Sequence, residues 1–267
     1  MNSRAPGESF VASLGSAAWR WLGGWWRIVH FGAQLLVLAL SPSSYDRAMR
    51  QALARHVYLH TAPILLGFTV ICALATLVIT RIVVVTALSY GLSQYATEMV
   101  VRVLVLELIP LGAALFVALR STLGGGAALS GLRLSGALQT MRSEGHDPLH
   151  REVLPRALAG IFSAVTLAAL SCVVALVLTY VAVYGFTTAG LPAYTRIFGR
   201  VFSPAVTTIF LLKTFLFSLT VSVIPLASGL YDNWVKGSRT DVELHGLVRM
   251  FVVIVLIEIV SLVGNYY

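Results

Sequence analysis

Long apolar runs separated by short basic stretches set the pattern of this chain. Residues 57–85, 97–119, 157–185, 204–231 and 247–263 are almost wholly apolar. Coiled as helices, each has the length needed to cross the hydrocarbon of a bilayer. At about 1.5 Å per residue the third would measure about 43 Å, so it is expected to tilt or to project beyond the bilayer. The pattern therefore predicts an all-α membrane protein with five transmembrane helices.

The first forty residues follow a different pattern. Four tryptophans, Trp19, Trp21, Trp25 and Trp26, fall there with Arg20 and Arg27 among them. An amphipathic ring and a long cation both find their level in the headgroup layer. Residues 11–40 are read as an N-terminal interfacial amphipathic helix on the cytoplasmic face, followed by a shallow apolar piece over residues 31–40. The alternative is a first span over residues 28–41, which is too short to cross without tilt or thinning. No cleavable leader is expected, because the first apolar stretch comes late and lacks a small-residue cleavage site. Residues 1–44 then form an N-terminal interfacial segment and residues 45–267 the transmembrane domain.

Breaks and caps follow from the residues between the runs. After Ser41-Pro42, Ser43 or Ser44 is placed to cap a basic helix carrying Arg47, Arg50 and Arg55. Pro63 lies near the start of span one, and Arg81 lies where it can snorkel outward. Residues 89–96 read as a short outer loop. The triplet Gly124-Gly125-Gly126 is expected to let span two end and the chain turn into a connector over residues 132–145. Asp147-Pro148 reads as N-cap and first helical residue of the third span's approach, and Ser203-Pro204 as the same pair for span four. Between spans three and four lies an outer segment with Gly190, Pro192, Arg196 and Arg200. Pro225 is a candidate kink. Residues 232–243 form the polar loop before span five.

Composition agrees with the pattern. The chain is 58% hydrophobic and 11% charged, with mean hydropathy +0.85, against about 25% charged residues in a soluble domain. Its net charge of +8 points to loops facing anionic lipid rather than to nucleic acid. Arg47, Arg50 and Arg55 precede span one. Arg120, Arg133, Arg142, Arg151 and Arg156 lie between spans two and three, and Lys236 and Arg239 between four and five. The other side has Arg196, Arg200 and the snorkelling Arg81. The positive-inside rule puts the N-terminus and the connector in the cytoplasm, and an odd number of spans puts the C-terminus outside. Cys72 and Cys172 sit inside apolar runs, at no metal-binding spacing, and read as packing residues.

Few residues are candidates for chemistry. Glu107 sits within span two with Arg102 on a neighbouring turn, and Lys213 sits within span four. Ionisable groups inside a span are costly and face a cavity or a partner. Arg102, Glu107 and Lys213 are either the polar wall of a lipid cavity, with the two cations near a lipid phosphate, or a structural Glu107–Lys213 or Glu107–Arg102 pair. Glu258 in span five has no evident partner and is read as a helix-packing hydrogen bond. His146 and His150 have i, i+4 spacing, but no further Cys or His cluster supports a metal. The glycine triplet lacks the Lys-Ser/Thr ending of a phosphate loop, and no catalytic constellation or nucleotide-binding motif is present. The chain is not expected to be an enzyme or to bind a cofactor itself.

Several motifs together resemble the MlaE/YrbE family of ABC-transporter permeases. Glu107-Leu-Ile-Pro110 resembles the family's E-x-G-P, and Val117-Ala118-Leu119-Arg120 its A-G-R. Gly145-His146-Asp147-Pro148, then Leu154-Pro155-Arg156-Ala157-Leu158-Ala159-Gly160, resembles its G-x-[ND]-P followed by P-R-x-L-A-G. Phe202-Ser203-Pro204 and Lys213 fit its fourth span. The resemblance covers roughly residues 45–265. It implies a permease that moves phospholipid or a related lipid between the bacterial inner membrane and an MCE-domain protein on the outer face. It also implies a second permease copy or paralogue, and a separate ATPase subunit holding ATP and Mg2+. In the family the matching Glu and Lys line the lipid path, and the connector is the coupling helix seated on the ATPase.

This chain departs from the family at the connector. Ala128 stands where an acid is usual, and Gly136-Ala137-Leu138-Gln139-Thr140-Met141 replaces an E-Q-I-D-A-L-like block. The register is kept, so the reading retains a coupling helix in which Leu134, Leu138 and Met141 form one apolar stripe flanked by Arg133 and Arg142. Pro110, Asp147, Pro148, Pro155 and Arg156 are expected to be structural. The departures leave open a second function, a non-coupling half of a heterodimeric permease or a membrane anchor for the complex.

Overall fold

The computed structural model describes residues 6–231 and 239–266, and it describes no side chain in residues 6–22, 93–94, 121, 239–243, 245 or 266. Among the described residues there is no strand. The helices are α1 (Pro6–Leu40), α2 (Arg47–Ser89), α3 (Tyr95–Leu134), α4 (Ala137–Ser143), α5 (Leu149–Tyr184), α6 (Leu191–Val201), α7 (Pro204–Tyr231) and α8 (Arg239–Tyr266). Five of them, α2, α3, α5, α7 and α8, are long and apolar enough to cross a membrane. Their positions agree with the five apolar runs. The polar loop with Lys236, and the side chains of Trp19, Arg20, Trp21 and Arg239, lie outside the described residues.

The centre of the bundle is α5 against α7. Span α2 packs along α5, α8 packs along α7, and α3 lies over the groove between α5 and α7. The central helices meet closely at small residues: a Cβ on Gly160 of α5 would lie 2.6 Å from the Ser222 hydroxyl of α7. Without a hydrophobic driving force between helices in lipid, such residues allow the close van der Waals contact that holds spans together. The outward faces carry exposed Leu66, Ile71, Leu211 and Val260, which suit a lipid environment.

The N-terminal segment is one uninterrupted helix, where an interfacial helix and a separate shallow apolar piece were expected. Its last turns are seated on protein. Ile28, Phe31 and Leu35, at i, i+3 and i+7, are buried, and the Phe31 ring meets Tyr231 of α7 edge-on at 5.7 Å between centroids. Trp26 on the opposite face is 74% exposed. The apolar run 31–40 is explained by that docking rather than by lipid alone.

A local expectation is corrected. The cap of the basic helix is Asp46, not Ser43 or Ser44. Residues Pro42–Ser44 form a single 3-10 turn, and the Asp46 carboxylate accepts from the Met49 N–H at 2.7 Å. Asp46→Ala is expected to cost about 1 kcal/mol of stability and Asp46→Asn much less. The thermal midpoint of the protein in detergent checks this. The segment between spans three and four contains the helix α6, which buries Val201 and half-buries Tyr194 and Ile197 while leaving Arg196 and Arg200 exposed. The Tyr194 hydroxyl donates to the Leu176 carbonyl at 2.9 Å, tying α6 to α5.

The glycine triplet does not end span two. Helix α3 continues through it to Leu134, because α7 crosses it there at backbone contact. A Cβ on Gly126 would lie 2.5 Å from the Pro225 carbonyl oxygen, and one on Gly229 would strike the Gly126 carbonyl. Ser130, one turn on, donates to the carbonyls of both Gly126 and Gly229 at 3.1 Å. Arg133 then donates to the Leu230 carbonyl at 2.6 Å.

Candidate polar site within the membrane spans

The site begins with a helix irregularity. Residues Val101–Leu108 of α3 are wound as a π-helix, and Pro110 follows at once. Proline has no N–H, so the Leu106 carbonyl four residues earlier lacks its α-helical donor. Lys213 of α7 supplies one, with Nζ 3.3 Å from that oxygen. Pro110 thus leaves without an α-helical donor the carbonyl that Lys213 reaches. The π segment also carries Glu107, consistent with the frequent association of π-bulges with functional positions.

Lys213 is 2% exposed. Its ammonium forms an ion pair with Glu107 of α3. It also forms an ion pair with Glu258 of α8, 2.8 Å from Oε2. Asn265 of α8 donates from Nδ2 to Glu107 Oε1 at 3.4 Å. One lysine thus joins three spans: α3 through Glu107 and Leu106, α8 through Glu258, and its own α7. The Phe217 ring, one turn further along α7, lies 5.7 Å from the ammonium.

Of the two pairings open to Glu107, the structure forms the one with Lys213. Arg102 is not joined to Glu107. It faces Glu98 one turn earlier, Nε to Oε1 at 3.1 Å, half-buried beside the site. The expectation that Glu258 lacks a partner is corrected, since the tertiary fold brings it to Lys213. Its signal in the sequence was the spacing of Glu258, Ser261 and Asn265, at i, i+3 and i+7, which puts three polar residues on one face of an otherwise apolar helix.

The connector differs from the expected helix. Gly136 is in the left-handed region, φ 76°, and separates α3 from the short α4. Leu134 therefore belongs to the end of α3 and is 60% exposed, whereas Leu138 turns inward onto the core and Met141 is half-buried. These three do not form one stripe. Arg133, Gln139, Arg142, Leu149 and Tyr231 line a cavity of about 210 Å3. Past the connector, the Asp147 carboxylate accepts from the Leu149 N–H at 3.0 Å and Pro148 is buried behind it. His150 Nε2 meets the Ser44 carbonyl at 2.7 Å rather than His146. Pro155 is buried just after the π-wound first residues of α5, Leu149–Val153, and Arg156 pairs with Glu152 at 2.7 Å. Among the described residues no cluster of metal-ligating side chains is found.

Compared with known families, residues 33–263 match the family described as Permease MlaE. The match starts inside α1 and covers all five spans and the connector. A search of curated proteins gives no match.

Proposed function

Because the chain belongs to the MlaE permease family, whose members are the membrane subunits of lipid-transporting ABC systems, we propose that it moves phospholipid or a related lipid between the inner membrane and an MCE-protein tunnel towards the outer envelope. The observation that carries this reading is the extent of the family match, which takes in every span and the connector between α3 and α5. The basic residues at the connector, Arg120, Arg133, Arg142, Arg151 and Arg156, favour a cytoplasmic position for it and for the N-terminus. A separate ATPase subunit binds there and supplies ATP hydrolysis. A second copy or a paralogue completes the permease, and the polar group of Glu107, Lys213 and Glu258, with Arg102 beside it, forms part of the lipid path's wall. Lys213 meets a lipid phosphate only if one of its carboxylates lets go, so lipid entry and the ion pairs are linked.

The test is mass spectrometry of the complex pulled down through this chain in mild detergent. An ATPase, an MCE-domain protein and bound phospholipid are expected. A chain that comes down alone and lipid-free overturns the reading.

The inward turn of Leu138 favours a second reading, a permease half that holds partners while another half couples. The two separate at Gln139, which is exposed on α4. If the connector couples, Gln139→Glu is expected to change ATPase stimulation by up to about fivefold, the effect of one exposed ion pair of about 1 kcal/mol. Unchanged stimulation favours the holding role. Gly136 is the poorer place for a restored acid, because its left-handed backbone would mix strain with coupling.

A further inference from the structure

The three spans that meet at Lys213 bring two carboxyl groups to one ammonium. We propose that Glu107 and Glu258 together bind one exchangeable proton, which makes the site electrically neutral inside the membrane. The inference stands on the charges and hydrogen bonds of this site and does not depend on which lipid is carried.

The charges facing the pair are few. From α3 comes Glu107, with Arg102 engaged by Glu98. From α7 comes Lys213, and from α8 Glu258. Helix α5 contributes the uncharged Cys172, whose Sγ lies 3.6 Å from the Val105 carbonyl. Helix α6 buries Val201 against the apolar face of α3, and its Arg196 and Arg200 are exposed. Among the described residues no second cation reaches the two carboxylates. Both touch the same nitrogen, so they are close neighbours. Two ionised carboxylates sharing a poorly solvated site repel strongly, and such pairs take up a proton jointly.

Buried polar atoms also lie along the same face of α8. Asn265 Oδ1 is a buried acceptor without a hydrogen-bond partner, and Glu258 Oε2 has only the ammonium at 2.8 Å. Ser261, one turn from each on the same face of α8, is 5% exposed and its hydroxyl is likewise unpartnered. Buried polar groups are normally satisfied. A proton on the Glu258 carboxyl adds a donor to those of the Ser261 hydroxyl and the Asn265 amide. A metal cation is a poor alternative, because the ammonium already sits 2.8 Å from Glu258 Oε2.

Infrared difference spectroscopy on the full chain in lipid nanodiscs, with carbon-13 glutamate, reads the proton directly and does not depend on transport. One labelled carboxylic C=O band per chain is expected at neutral pH, lost at alkaline pH. Either Glu258→Gln or Glu107→Gln should abolish it, since the remaining acid then balances Lys213. Lys213→Met should double it. No band in the unaltered chain overturns the proposal, as does a band that survives in both glutamine variants. A carboxylate band that shifts with added sodium, in place of the carboxylic band, also overturns it in favour of a metal cation. If Lys213→Met fails to fold, the glutamine variants still decide.

Discussion

Replacing Lys213 with methionine is expected to destabilise the folded chain by about 3–5 kcal/mol, the range for removing one partner of a buried ion pair. Methionine is only one atom shorter than lysine, so the loss is mainly electrostatic rather than a cavity. The change leaves Glu107 and Glu258 without their shared cation and the Leu106 carbonyl without its donor. Three spans lose their common tie at once. Glu107→Gln is expected to cost less, because Lys213 keeps Glu258 as a counter-charge and glutamine still accepts a hydrogen bond. The triple variant Glu107→Gln, Lys213→Met, Glu258→Gln should recover most of the loss, since its amides are neutral without having to take up protons at neutral pH. The monodisperse fraction after heating, by size-exclusion chromatography in detergent, ranks the four proteins. A Lys213→Met chain as stable as the unaltered one would show that these ion pairs do not hold the bundle.

Gly126→Leu is expected to be the most damaging glycine substitution in α3, at more than about 3 kcal/mol, because the obstruction is backbone and cannot rotate away. Its Cβ would stand 2.5 Å from the Pro225 carbonyl oxygen. Relief requires α3 and α7 to separate, which also breaks the Ser130 bonds to Gly126 and Gly229 and the Arg133 bond to Leu230. Gly229→Ala meets the facing carbonyl from the other side and should behave alike. Gly124, two residues away, has open space where its Cβ would be. Gly124→Ala is expected to be neutral or to stabilise by up to about 1 kcal/mol, the gain in helix propensity. Yield and thermal midpoint of the three variants separate crossing from propensity. Equal damage at Gly124 and Gly126 would remove the crossing as the cause.

The same glycine triplet shows where reading the chain alone falls short. Consecutive glycines between an apolar run and basic residues suggest a helix end, because glycine is a poor helix former. That preference is overridden when another helix must approach at backbone distance, and the partner, Pro225 to Gly229, lies about a hundred residues away. The connector erred in the opposite direction. Leu134, Leu138 and Met141 have helical spacing, but one left-handed glycine between them sends Leu134 outward and Leu138 inward. At the polar site, Glu107, Lys213 and Pro110 stood out because charges and prolines are rare within spans. Which acid met which base could not be read, because helix order and rotation about each axis are not local properties.

The sequence by itself determined the membrane class, the positions of the five spans and the family, because apolar length and short motifs are properties of contiguous residues. It also marked the ionisable groups within the spans and the Asp147-Pro148 cap. Only the tertiary structure decided that Lys213 serves two carboxylates and a proline-freed carbonyl, that Arg102 belongs to Glu98, that α1 docks through Phe31, and that Gly126 is a crossing point. Each of those depends on which faces of distant helices meet, and the free energy that selects those faces comes from packing and charge pairing across the bundle.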